Sequence, residues 1–326
     1  MIIFVWLFSF SMMGQDIHFS QFYQSPFSLN PSLTGAFDGE WRFIGNQRTQ
    51  WRAVTTPFNT FGASAEWNNE RLKGFNAGLS FFNDRTGDSR LTTNMINLFG
   101  AYQWSLDQDQ WLRVGMGLGI TSMSIDYSQL RYDNQWNGIS YDPGIAADEP
   151  FTRDSRGYMN LHLGATYIKE IGEDRFTAGA SIFNLTSPDQ SWFDQAFVRL
   201  SPRFNFHGQY FHKVNETWAV EPSFLVMTQS PHSEVNLGGR VFYDISESVW
   251  LKKVAYAGAF ARARDAGYLV AGMRYDQWDV GISYDINLST LRPASNGRGA
   301  LEFSVVYIIP PKPKITNIKK TCPDYI

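Results

Sequence analysis

The 326-residue chain sets 28 lysines and arginines against 31 acidic residues, a formal charge of −3, so no overall basic surface points to nucleic acid. Hydrophobic residues make up 43% and mean hydropathy is negative. After the first fourteen residues no apolar run reaches the ~20 residues of a membrane helix, which excludes a helical membrane protein. The single cysteine, Cys322, excludes an internal disulfide.

Residues 1–14, MIIFVWLFSFSMMG, read as the apolar core of a signal peptide, without a basic leader and with cleavage expected before Gln15. Residues 15–38 form a polar, aromatic arm. Asn30-Pro31 and Thr34-Gly35 punctuate it, because such pairs favour turns. Phe19, Phe22, Tyr23 and Phe27 need burial, yet the arm is too polar for lipid. Its expected place is therefore the interior of a β structure or its periplasmic mouth, with Phe19, Phe22, Tyr23, Asn30 and Pro31 as the contacts.

From residue 39 to 309 the pattern is that of a transmembrane antiparallel β-barrel. Segments of about ten residues alternate with period two. They fall at 39–52, 58–68, 74–83, 94–105, 110–121, 158–169, 174–183, 203–213, 216–227, 234–245, 249–263, 267–275, 278–287 and 299–308. That makes about fourteen strands, an even number as a closed bacterial barrel requires. Closure matters because an open edge in lipid leaves backbone groups unsatisfied. Leu112, Val114, Met116, Leu118 and Ile120 share one face; Arg113, Gly115, Gly117 and Gly119 share the other. By the same alternation Glu66, Arg113, Glu221, Arg240 and Asp244 face a lumen, either as barrel-filling salt bridges or as a lining for a guest segment. The arm is the candidate guest. Its Asn-Pro turn also resembles the hatch of FadL-type transporters.

Short connections at 107–109, 170–173, 214–215, 246–248 and 276–277 alternate with longer ones at 84–93, 122–157, 184–202 and 288–298. Short periplasmic turns and long outer loops are the usual asymmetry of outer-membrane barrels, which places both ends of the mature chain in the periplasm. The proline- and lysine-rich tail, 310–326, suits a linker or a periplasmic contact. Two outer loops are rich in aromatics: Tyr127, Tyr132, Trp136, Tyr141, Trp192, Phe193 and Phe197. Exposed aromatics are over-represented at binding hot spots, so these residues are candidates for binding a partner. The alternative is that the loops fold inward as lids and bury those rings on one another.

Little in the chain points to chemistry. His18, His162, His207, His212 and His232 are scattered and have no zinc spacing. Asp142, Asp148, Glu149 and Asp154 lack the spacing of a calcium loop and read as a solvated acidic loop. Gly115, Gly117 and Gly119 sit in mid-strand without the helix that a phosphate loop needs. No serine lies in a recognisable nucleophile elbow. The chain reads as a non-enzyme that needs no cofactor.

The order "QD..FSQFYQSP..LNPS.TG" followed by "W.....QR.QW" within residues 15–51 closely resembles the start of the PorP/SprF proteins. The resemblance implies an outer-membrane barrel of the type IX secretion system, with a role in secretion and, in relatives, gliding motility. It also implies partners: outer-membrane lipid, a large secreted adhesin or its C-terminal sorting domain, and periplasmic subunits of the machine. The rivals are a porin or FadL-like transporter of small molecules, and a purely structural, adhesin-anchoring barrel.

Overall fold

The computed structural model describes residues 16–50, 56–68, 74–87, 90–146, 153–192, 197–246, 251–288 and 297–311. The expected signal segment, 1–14, and the tail beyond 311 lie outside them, as does Phe193. Fourteen antiparallel strands close into one barrel, each paired with its sequence neighbours and the first with the last. They are β1 (Trp41–Gln50), β2 (Phe58–Asn68), β3 (Phe75–Thr86), β4 (Leu91–Asp107), β5 (Gln110–Ser124), β6 (Ser155–Ile171) and β7 (Asp174–Phe183), followed by β8 (Arg203–Lys213), β9 (Trp218–Gln229), β10 (His232–Asp244), β11 (Lys253–Arg262), β12 (Ala266–Tyr275), β13 (Trp278–Asn287) and β14 (Arg298–Ile309). Closure is continuous at the seam, where Trp41 stands opposite Ile309 and Thr49 opposite Leu301.

Alternation drives this fold. On β5, Val114, Met116, Leu118 and Ile120 are exposed on the outer wall, while Arg113 is buried inside. The outer wall is apolar all round, as lipid requires, and every backbone ladder finds a neighbour. One rim carries a girdle of ring pairs on the outer face: Trp41 with Trp67, Tyr102 with Trp104, Trp218 with Tyr243 and Trp278 with Tyr307. Rings with a polar edge settle at the boundary between acyl chains and water.

The mouth bearing this girdle carries the turns β4–β5, β6–β7, β8–β9 and β12–β13 and is termed the turn mouth. The opposite loop mouth carries residues 125–154 between β5 and β6, and 184–202 between β7 and β8. Connection lengths differ from expectation in three places. The β3–β4 link is short, 87–90, because both strands pair farther than their apolar pattern extends, from Asn83↔Asn94 out to Thr86↔Leu91. The β5–β6 loop is also trimmed, because Ser122↔Gly157 and Ser124↔Ser155 continue the ladder with polar residues. The β10–β11 link is longer, 245–252, since β11 starts at Lys253.

The arm is more regular than its composition suggests. It contains 3-10 turns at Phe22–Gln24 and Pro31–Leu33 and a single α-helical turn, α1, at Pro26–Leu29. Proline opens α1 and the second 3-10 turn, where its missing N–H is no loss. The Asn30 side chain caps the second turn by accepting from the Ser32 N–H. Gly35, at φ 72°, turns the arm toward β1.

Candidate functional site

The arm occupies the lumen from one mouth to the other. At the turn mouth the Glu40 N–H donates to the Ile309 carbonyl (2.8 Å). At the loop mouth the Asp16 N–H donates to Gln229 Oε1 (3.0 Å), and Arg203 pairs with the Asp16 carboxylate (3.6 Å). Asp16 and Ile309 thus lie at opposite ends of the barrel. The expectation that both ends of the mature chain are periplasmic concerns residue 15 and the tail beyond 311, which lie outside the described residues. Loop lengths alone place only the strands; the arm preceding β1 crosses the whole lumen before the first strand begins.

Next to the loop mouth lies a buried ionic knot. Arg48 pairs with Asp285 and Glu302, each at 3.0 Å, and Arg262 pairs with Asp285 (3.3 Å) and Glu234 (3.2 Å). Two guanidinium groups thus face three carboxylates, and the arm supplies the missing positive ends. The backbone N–H groups of Ser20 and Gln21 donate to the two Glu302 oxygens at 2.8 and 2.9 Å, and Ser20 Oγ donates to Asp285 (2.9 Å). His18 Nε2 lies 3.4 Å from Glu234. Charges this deep persist only when paired and hydrogen-bonded, so knot and arm depend on each other.

Lower in the lumen, Asn30 is fully buried and acts as a hub. Its amide nitrogen lies within 3.1–3.2 Å of the Ala165 and Ala180 carbonyls, Thr166 Oγ1 and His207 Nε2. Its oxygen accepts from both the N–H and the hydroxyl of Ser32. Pro31 and Ser32 lie so close to Gly115 that a Cβ there would strike their backbone, and one at Gly164 would strike Asn30. Gly115 and Gly164 are therefore clearance for the arm, whereas Gly117 and Gly119 make room for Phe99, His162 and Asn97 of the barrel itself. The Phe27 ring stacks on Phe99 at 4.4 Å between centroids. Phe22 joins a buried cluster with Leu29, Leu225, Phe260, Tyr268 and Val270, and Phe19 packs on Phe82.

Toward the turn mouth, Glu66 accepts the Gly35 N–H (2.8 Å) and takes a two-pronged grip from Arg42 (2.8 and 2.9 Å). Arg113 donates to the Ser32 carbonyl (2.9 Å) and to the carbonyl of Thr34. Arg240 pairs with Glu221 and lies 3.6 Å from the centre of the Tyr23 ring. Such a cation over an aromatic face is attractive, more so when dry. Asp244 lies at the strand end, half-buried, and accepts from the Ser246 N–H (2.8 Å). Of the lumen residues expected from sequence, then, Glu66, Arg113 and Arg240 touch the arm, Glu221 reaches it through Arg240, and Asp244 serves a turn.

The two long loops of the loop mouth have internal order. Trp136 and Tyr141 form a bridge, Arg131 lies over the Tyr141 ring, and the Tyr127 hydroxyl donates to the Arg153 carbonyl (2.7 Å). Arg156 holds the second loop through the Asp189 and Ser191 carbonyls (2.7 and 2.6 Å) and the Asp189 carboxylate (2.6 Å). Partial desolvation pushes the Asp189 carboxyl up, but the Ser191 and Val198 N–H groups and Arg156 more than offset this, holding it below the usual carboxylate range. Tyr127, Tyr132, Tyr141 and Trp192 are half-buried, whereas Trp136 (58%) and Phe197 (83%) stand exposed. A cavity of about 40 Å³ sits beside Asp16, walled by Phe27, Phe82, Phe99, Phe183 and His162. No cluster of metal-ligating side chains occurs among the described residues.

The ionic knot was open to the alternation argument, yet sequence reasoning passed over it. Glu302 lies between Leu301 and Phe303, and Asp285 between Tyr284 and Ile286, the same signal that marked Glu221.

The family model described as type IX secretion system membrane protein PorP/SprF matches residues 11–307. Among solved structures, the toluene transporter TbuX of Ralstonia pickettii superposes with a TM-score of 0.51 at 10% identity, over 87% of this chain and 92% of that one. CdiB from Escherichia coli gives 0.49 at 7% identity, over 81% of this chain and 62% of that one. The toluene transporter TodX of Pseudomonas putida gives 0.47 at 13% identity, over 87% and 92%. At these identities the TbuX likeness speaks for the fold alone. No curated protein matches the chain. The family match covers most of the sequence, and the chain belongs to the PorP/SprF family of type IX secretion membrane proteins.

Proposed function

We propose that this PorP/SprF barrel is a non-enzymatic outer-membrane component of the type IX secretion system, supporting secretion and cell-surface attachment of a large secreted protein or adhesin. The observation that carries this reading is the filled lumen. Held by the ionic knot, the Asn30 hub and Arg113, the arm leaves the barrel with surfaces to offer rather than a passage. In this reading the turn mouth faces the periplasm and meets subunits of the machine. The loop mouth faces outward, by the usual asymmetry of outer-membrane barrels. There the cargo or its sorting domain docks on the loops, with exposed Trp136 and Phe197 as the anchors.

Deleting residues 134–149 tests it. The variant is expected to insert and keep its heat-modifiable gel migration while the cognate adhesin is no longer retained on the cell. Retention that survives this deletion but is lost on truncation after Pro311 moves the functional surface to the periplasmic side. The rival, a porin or FadL-like transporter, requires the arm to move aside. The cavity beside Asp16, about 40 Å³, holds only a few waters at the ~10–15 Å³ each one needs.

A further inference from the structure

The cavity beside Asp16 has walls that are almost wholly apolar: Phe27, Phe82, Phe99 and Phe183, with Met95. Asp16, Ile17, Ser28 and Met95, all half-buried, form its side toward the loop mouth. Its volume of about 40 Å³ is room for about three waters, or for one group of about four heavy atoms.

The charges on its wall are already matched. Arg203 pairs with Asp16 (3.6 Å), donates from its two terminal nitrogens to the Ile17 and Ser28 carbonyls (3.2 and 3.0 Å), and lies over the Phe183 ring (4.4 Å). Asp16 also accepts from the Asn184 side-chain amide (2.5 Å). His162 is engaged at both ring nitrogens: Nδ1 accepts the Asn184 N–H (3.2 Å), and Nε2 lies 3.4 Å from Asn97 Oδ1. Two polar atoms of the lining are left over. Arg203 Nε and Asn160 Oδ1 have no hydrogen-bond partner among the described residues, although their side chains are buried to 3% and 4% exposure. A donor and an acceptor left unpaired beside an aromatic cavity are costly, and a guest that meets both removes that cost.

The lining discriminates among guests. A carboxylate offers nothing to Asn160 and sets a second negative charge beside Asp16. An ammonium offers nothing to Arg203, and a hydrocarbon leaves both atoms unpaired. A carboxamide carries an acceptor and a donor on one flat, neutral group of the right size. We propose that the cavity is a binding subsite for a small neutral carboxamide. The guest oxygen accepts from Arg203 Nε, its NH2 donates to Asn160 Oδ1, and its short apolar stem lies against Met95 and the phenylalanines. A glutamine or asparagine side chain of another protein and a free aliphatic amide share this chemistry. The subsite goes beyond the secretion role and does not rest on it.

The test is a saturation-transfer NMR titration of the full-length barrel in detergent with propionamide, and with its near-isosteres propionate and butanone. Saturable binding of propionamide is expected, with each isostere weaker by about tenfold or more, since a site built to hydrogen-bond a guest rejects analogues that lack the group. Asn160→Leu is expected to erase the preference for propionamide over butanone, which lacks only the donor. Met95→Trp is expected to block all three guests while heat-modifiable gel migration is kept, and it decides the matter if Asn160→Leu fails to fold. N-acetylglutamine N-methylamide, with the alanine analogue as control, separates the sources. Binding that matches propionamide assigns the subsite to a protein side chain, and exclusion assigns it to a free amide. No saturable binding (a cavity that holds water only), equal affinity for the three guests, or a preference unchanged in folded Asn160→Leu each overturns the proposal, as does binding unaffected by Met95→Trp.

Discussion

The two ends of the lumen hold the same kinds of groups in opposite regimes. Near the loop mouth, Arg48 meets Glu302 at 3.0 Å with both side chains essentially inaccessible. At the turn mouth, Lys213 meets Glu173 at 2.8 Å, yet the glutamate side chain is 69% exposed. Distance would rank the second pair first. Burial reverses the order, because Coulomb attraction grows as the local dielectric falls while the penalty for an unpaired charge grows faster. One end is a dry lock closed by the arm; the other is a wet chamber whose pairs are dispensable.

The largest effect that breaks this contrast is expected from Arg48→Met. It strands Asp285 and Glu302 beside the arm, and losing one partner of a buried ionic cluster costs about 3–5 kcal/mol. The midpoint of the heat-induced gel shift is expected to drop sharply, and protease to gain access to residues 16–24; an unchanged midpoint refutes the lock. Asn30→Ala comes next. It leaves the Ala165 and Ala180 carbonyls and the Ser32 hydroxyl without a shared partner, at about 1–3 kcal/mol, and hydrogen exchange of the arm amides is expected to rise while the strands stay protected.

Outside the barrel wall, acid sharpens the comparison. Asp189 is held below the usual carboxylate range when folded, so its grip on the second loop is complete above that range and weakens as pH falls through its lowered value. Proteolysis between 184 and 202 is expected to speed up in acid in the parent and to be fast at neutral pH in Asp189→Asn. The smallest effect belongs to Lys213→Ala. Its partners are solvent-exposed, and the same thermal midpoint is expected not to move measurably.

The barrel was legible because lipid imposes period two on every spanning strand, and that period also marked Glu66, Arg113, Glu221 and Arg240. The pairings of the ionic knot were not legible. Arg48 finds Glu302 through the seam register, and Arg262 finds Asp285 over the intervening strand β12, neither of which a single strand encodes. Glu234 lies near a strand end, where alternation is hardest to tell from a loop. The arm's helical turns escaped because one turn has no periodicity to read. Its course from mouth to mouth depends on contacts to strands hundreds of residues away, such as Ser20 with Glu302. Strand ends were misjudged where polar pairs such as Ser124↔Ser155 prolong the ladder beyond the apolar pattern.

The central claim, that the arm plugs the lumen, is tested most directly by single-channel recording of the purified full-length barrel in a planar bilayer. The account predicts a membrane that stays silent at moderate voltage, with steady conductance appearing in Arg48→Met as the arm loosens. A steady open-pore conductance in the parent protein, unaltered by that substitution, would contradict it.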